Sequence, residues 1–146
     1  MIIRNAEPRD VGALSRIAES SYRAAFASIL DEDVLLSRNA DYFARRFRES
    51  WPSLTVASDE GWILGFCLLT DGHVDMLFLA PEATGRGVGA LLLKHAEKNG
   101  AKSLECFRDN RRARAFYERE GWTLARSYER DFAGKPHAFV FYEKPR

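Results

Sequence analysis

Hydrophobic positions change period along this 146-residue chain, and the changes divide it into elements. Ile2 to Arg4 is a short first strand. Pro8 suits the first turn of a helix, and after it Val11, Leu14, Ile17, Ala18, Tyr22 and Phe26 recur at helical spacing as one apolar stripe. Asp31 or Asp33 can cap a second helical region with Val34, Leu35, Tyr42, Phe43 and Phe47 as its apolar positions. Trp51-Pro52 ends that region, because the residue before a proline is pushed out of helical geometry. The pattern then becomes strand-like. Leu54 to Ser58, Trp62 to Leu69 and His73 to Leu79 are rich in β-branched, aromatic and aliphatic residues, and Asp59-Glu60-Gly61 and Asp71-Gly72 between them suit hairpin turns.

After a glycine segment, Val88 to Lys98 reads as a helix with Leu91, Leu92 and either His95 or Ala96 inward, closed by Gly100. Leu104 to Phe107 is a strand, and Asn110 caps a short helix, Arg111 to Glu120, that Gly121 terminates. Trp122 to Asp131 and Ala138 to Glu143 form a final hairpin across Ala133-Gly134-Lys135-Pro136. The expectation is one mixed α+β domain over residues 1–146, with a β-α-β unit in the middle.

Composition narrows the class without naming a function. A chain that is 46% hydrophobic and 29% charged is expected to fold as a soluble domain. Lys plus Arg number 22 against 21 for Asp plus Glu, so no global field attracts nucleic acid or a membrane surface. No stretch approaches the ~20 apolar residues that span a bilayer, and the N-terminus has no basic-then-apolar signal pattern. Cys67 and Cys106 lie in apolar runs without metal or CxxC spacing, and read as buried thiols in a reducing cytoplasm. No metal site is expected.

The candidate chemistry begins at Gly85-Arg86-Gly87-Val88-Gly89, which directly precedes a helix. Glycines let the backbone approach a ligand and turn its N–H groups outward, and the helix N-terminus behind them adds partial positive charge. Together they suit a pyrophosphate, although a tight strand-to-helix turn would look the same. A P-loop would need Lys-Ser/Thr after the last glycine, and Ala90-Leu91 stand there instead. The dinucleotide fingerprint fits Gly85, Gly87 and Ala90, but Ala80 to Thr84 separate it from the preceding strand, and hairpins precede it where βαβ units should.

Leu77-Phe78-Leu79-Ala80-Pro81 leading into Gly85-Arg86-Gly87-Val88-Gly89 resembles the hallmark of the GCN5-related N-acetyltransferases (GNAT). A second hallmark follows in Asn110, Ala113, Ala115 and Phe116-Tyr117-Glu118-Arg119-Glu120-Gly121-Trp122. Element order matches over nearly the whole chain. One departure is Thr84, where the family usually has Arg or Gln. The resemblance implies a GNAT-type domain, with a twisted, mostly antiparallel sheet of about six or seven strands flanked by about four helices. It implies acetyl-coenzyme A as acyl donor and an amine as acceptor. The balanced charge and the lack of a long apolar run lead to an expectation of no nucleic-acid or membrane partner, and a monomer or homodimer is expected. Cofactor binding falls by resemblance on the backbone of Leu77, Phe78 and Leu79, on Thr84, Gly85, Arg86, Gly87, Val88, Gly89 and Ala90, and on Asn110. Tyr117 matches the tyrosine that protonates the coenzyme A sulfur and contacts the cofactor.

An amine acceptor is largely protonated at neutral pH, so a base or a desolvating pocket must remove its proton. His73 and Asp75 are the candidates, expected on one strand face by alternation, with Asp75 orienting His73 or binding a cationic acceptor. His73 reads equally well as an exposed hairpin residue. Glu105 has a sheet position that could also face the site, but reads first as a solvent-facing strand residue. Arg108, Arg111, Arg112, Arg114 and Arg119 make an exposed charged helix by default, and a 3′-phosphate site as the functional alternative. The acceptor pocket of the family implicates Tyr22, Phe26, Tyr42, Trp51, Tyr128 and Tyr142, most of which read as core. From another class, a non-catalytic acyl-coenzyme A sensor would keep the cofactor site but have no use for a proton donor at Tyr117.

Overall fold

The computed structural model describes residues 1–145. Seven strands, β1 (Ile2–Asn5), β2 (Leu54–Asp59), β3 (Trp62–Thr70), β4 (His73–Leu79), β5 (Ser103–Phe107), β6 (Thr123–Phe132) and β7 (Lys135–Glu143), form one sheet in the order β1-β2-β3-β4-β5-β7-β6. Every neighbouring pair is antiparallel except β4 and β5. The helices are α1 (Val11–Phe26), α2 (Glu32–Ser37), α3 (Ala40–Ser50), α4 (Val88–Lys98) and α5 (Arg111–Arg119). Among the described residues no helix is long and apolar enough to cross a membrane.

Three hairpins close through the same device. Glu60-Gly61, Asp71-Gly72 and Ala133-Gly134 each place both turn residues at positive φ, the pair of conformations whose twist matches that of the strands they join. The last hairpin is therefore tighter than expected, and Lys135 and Pro136 belong to β7, paired with Phe132 and Asp131. Pro136 is tolerated because the β5–β7 pairing ends at Phe107–Phe139, leaving β6 as its only partner strand.

Five α-helices stand where about four were expected, since the second helical region is two helices. The chain breaks at Arg38, whose φ of −89° and ψ of 57° end α2, and the Asn39 side chain restarts it by accepting the Tyr42 amide at 2.9 Å. A further correction concerns α4, where Leu92, Leu93 and Ala96 are buried and Leu91 is exposed. Val88 sets this phase: it is in the core, and the stripe runs from it at steps of four and five.

The sheet divides two cores. α4 and α5 cover one face, where Val88, Leu92, Leu93 and Tyr117 pack on Cys67, Val74, Leu104, Val140 and Tyr142. Helices α1 to α3 cover the other, where Leu14, Tyr22, Phe43 and Phe47 pack on Val56, Phe66, Leu68, Met76 and Phe107. The bidentate contact of Arg4 with buried Asp10, at 2.8 and 3.0 Å, ties β1 to the turn before α1. These hydrogen bonds pull the Asp10 carboxyl below its usual value, against the opposing effect of burial.

Candidate active site between the splayed strands

β4 and β5 pair only at His73–Ser103 and Val74–Leu104, then continue without further pairing to Leu79 and Phe107. A wedge opens between them. Its β4 wall can be read from the ladder on the other side. Ala80 donates to the Leu64 carbonyl at 2.8 Å, so the register makes 66–78 a mutually bonded pair and 65–79 and 67–77 unbonded ones. Leu77 and Leu79 therefore turn their backbone groups into the wedge, while those of Phe78 face β3. The expectation that Phe78 offers its backbone to a cofactor fails on this alternation. Ser21 of α1 already donates to the Leu79 carbonyl at 2.6 Å, which leaves the Leu79 amide free.

A bulge starts the opening. Register shifts by one residue between Leu68 and Leu69, leaving Asp75 without a cross-strand partner. Val74 and Met76, which alternation would put together, enter opposite cores. The alternation meant to bring His73 and Asp75 onto one face is thus broken between them. Asp75 is exposed. The partner that orients His73 is Ser103, whose Oγ lies 2.8 Å from Nδ1, with the ring stacked on Phe141 at 6.0 Å. His73 and Ser103 sit at the paired end of β4 and β5, where the wedge closes.

The glycine loop lies at the open end of β4. Pro81–Ala83 form a 3₁₀ turn, and Gly85 and Gly87 adopt φ of 83° and 78°, with open space around both Cα atoms. Gly87 caps α4 without a side chain, so the first amides of the helix, through Val88, Gly89 and Ala90, point outward beside it. Thr84, Gly85, Arg86 and Gly87 are exposed, whereas the Val88 side chain is core and contributes only its backbone. Gly89 serves packing as well: a Cβ there would stand 3.4 Å from the Phe116 ring. Arg86 lies 3.7 Å from Asp59 across the loop.

Tyr117 comes from α5, on the same side of the sheet as the loop. It is buried among Trp122, Tyr142 and the two thiols, and its hydroxyl has no hydrogen-bond partner among the described residues. Burial pushes that hydroxyl well above the ordinary tyrosine value, so it carries its proton at neutral pH. Cys67 and Cys106 are pushed up to about 12 by burial, which leaves neither as a thiolate nucleophile. Asn110 caps α5 by accepting the Ala113 amide at 3.3 Å. Of the five arginines around it, Arg108 pairs with Asp109, Arg114 donates to the Tyr142 hydroxyl and the Arg108 carbonyl, and Arg119 lies over Phe116.

The opposite side holds a group that the sequence placed in solvent. Glu105 accepts from the Tyr128 hydroxyl and is gripped at both oxygens by Arg130. Burial alone would raise its carboxyl, but these bonds outweigh it and hold the group below its usual value. The partners come from β6, two strands away, and no local pattern could have announced them. Among the described residues no cluster of His, Cys, Asp and Glu could hold a metal ion.

Comparison with known proteins places the architecture. The sequence profile described as Acetyltransferase (GNAT) domain matches residues 50–124, from the end of α3 to the start of β6. The chain belongs to the GNAT family. It is an acyltransferase by that membership. It is 27% identical over 133 residues to the peptidyl-lysine N-acetyltransferase YjaB of Salmonella typhimurium, covering 90% of this chain and 82% of that one. The solution structure of apo-form YjaB from Escherichia coli superposes with a TM-score of 0.83 at 28% identity, covering 98% of this chain and 97% of that one. The PaiA N-acetyltransferase of Thermoplasma acidophilum, solved in complex with coenzyme A, shares the fold with a TM-score of 0.76 at 20% identity, covering 99% and 98%.

Proposed function

We propose that the protein transfers an acetyl group from acetyl-coenzyme A to a primary amine of a small molecule or of a protein or peptide by direct attack, without an acyl-enzyme. The observation that carries this reading is the wedge. Its β4 wall presents the Leu77 and Leu79 amides, its open end meets the Gly85–Ala90 amides at the start of α4, and a protonated Tyr117 lies on the same side. The fold binds coenzyme A in the Thermoplasma relative, which supports the choice of donor.

In this reading the pyrophosphate lies on the amides of Gly85, Arg86, Gly87, Val88, Gly89 and Ala90, with Thr84 and Arg86 beside it. The pantetheine arm continues the sheet along Leu77 and Leu79, with Asn110 opposite. The acceptor nitrogen attacks the thioester carbonyl carbon, a C–N bond forms and the C–S bond breaks. Tyr117 gives its proton to the departing sulfur. The proton lost by the amine goes to His73 through water, Ser103 fixing the ring so that Nε2 is the available nitrogen; Asp75, exposed at the bulge, is the competing base. Thiol release from acetyl-coenzyme A with a panel of amines tests the transfer. His73→Gln and Asp75→Asn separate the two bases by the variant that loses kcat. Coenzyme A binding without release on every amine would sink the reading.

A further inference from the structure

We propose that Arg38 reads an oxyanion on the acceptor, so that the amine acetylated here belongs to a molecule carrying a carboxylate or a phosphate. The proposal rests on the transfer reading for one point, that the acceptor enters from the α1–α3 side because the glycine loop and α5 occupy the other.

Around that entrance the walls are aromatic. Tyr22 meets Phe26 at 4.7 Å between ring centroids, Phe26 meets Phe107 at 5.0 Å, and Phe107 meets Phe132 at 5.3 Å. The circuit closes through a cation: the Arg38 guanidinium lies 5.8 Å from the Phe132 centroid and 4.5 Å from that of Tyr42. A guanidinium lying over a ring can still present two in-plane N–H groups to a bidentate oxyanion. Stacking also strips it of water, which strengthens its pull on an anion.

Its surroundings leave that charge uncompensated. Among the described residues no carboxylate lies within 4.0 Å of Arg38. Three acids of the surrounding elements are engaged elsewhere: Asp31 by Lys135 at 2.6 Å, Glu105 by Arg130, and Glu19 by the Ala40 amide at 2.9 Å. A second observation points the same way. The Tyr22 hydroxyl is buried without a partner in good hydrogen-bond geometry; burial raises it, and the approach of the Arg38 guanidinium offsets part of that rise, so the two groups face one another at one place. A buried hydroxyl without a partner costs free energy unless a ligand or water completes it. A guanidinium and an orphan donor at one rim suit an anion and repel a second ammonium.

The test uses matched acceptors: ω-amino carboxylates of increasing chain length, their neutral primary amides, and aminoalkyl phosphates. Each is assayed with the wild type, Arg38→Gln and Arg38→Lys. The wild type should favour the best anionic member over its amide by roughly tenfold or more in kcat/KM, the scale of one charge-assisted contact. Arg38→Gln should abolish the preference through KM with kcat nearly unchanged, and Arg38→Lys should restore part of it. Equal use of acid and amide by the wild type, or an equal loss on both in Arg38→Gln, overturns the proposal, since a packing role would affect both alike. The phosphate arm decides which oxyanion is read. Titration of the N-acetylated ω-amino carboxylates into coenzyme A-saturated protein supplies a readout without turnover. Arg38-dependent binding there with no turnover on any amine would sink the transfer reading and keep Arg38. Binding indifferent to Arg38 would sink the inference and leave transfer intact.

Discussion

The two mouths of the wedge are built from different materials. On the α4–α5 side nearly every candidate contact is backbone: the loop amides from Gly85 to Ala90 and the Leu77 and Leu79 amides, with Asn110 a helix cap first. On the α1–α3 side the entrance is made of side chains, Tyr22, Phe26, Tyr42, Phe107 and Phe132 with Arg38 among them. Backbone recognition depends on φ, spacing and register. It tolerates side-chain drift and suits one cofactor shared by many proteins. Side-chain recognition changes with each substitution and suits an acceptor that differs from one protein to the next. On the proposed reading, one small domain would handle the common ligand and the particular ligand by separate chemistry.

The contrast can be tested from its larger consequences to its smaller. Phe66 is fully buried on the α1–α3 side, with Phe47 at 5.4 Å and Phe78 at 5.8 Å. Phe66→Ala should cost about 3–5 kcal/mol in chemical denaturation. Coenzyme A affinity of the folded fraction should hold, because the backbone mouth does not use that ring. Tyr117→Phe should lower kcat by about 10²-fold while leaving the melting temperature and coenzyme A affinity nearly unchanged, since the hydroxyl has no hydrogen-bond partner among the described residues. Unchanged turnover would remove Tyr117 from the mechanism.

Asp10 gives a pH test away from both mouths. Its folded pKa lies below the unfolded value, so its contribution is present above pH ~4 and is lost as pH falls through the depressed folded value. Asp10→Asn should remove about 2 kcal/mol at pH 7 and flatten the acid limb of the stability curve. The smallest effect belongs to Thr84→Arg, which adds an exposed cation beside the loop. Coenzyme A should bind about two- to fivefold more tightly at low salt, with the gain fading as salt rises. Weaker binding would mean that the loop amides and the added side chain compete for one position.

Legibility in the sequence follows the same division. Glycine pairs marked two hairpins, the β-branched runs marked their strands, and Gly85 to Gly89 before an apolar helix marked the backbone mouth, all of them local signals. The break at Arg38-Asn39 was missed because it contains neither glycine nor proline, although Asn39 ahead of Ala40-Asp41-Tyr42 carries a capping signal. The bulge at Asp75 has no sequence mark, being a count of residues against β3. Glu105 was misjudged because its partners arrive from β6, and Leu91 was placed inward because three consecutive leucines leave helical phase undecided. Local chemistry is legible; register and long-range pairing are decided only when the sheet assembles.

The alternation along β4 also sets a rhythm of solvent exchange. Phe78 has its amide locked into the β3 ladder, while its neighbours Leu77 and Leu79 have theirs turned into an unpaired wedge. Adjacent amides of one strand should therefore trade hydrogen for deuterium at different rates, slow at one position and fast at the next. A ligand lying along the wedge would slow the fast amides and leave the slow one as it was. The strand is in this sense a built-in reporter, able to register occupancy of the wedge before any bond is made or broken.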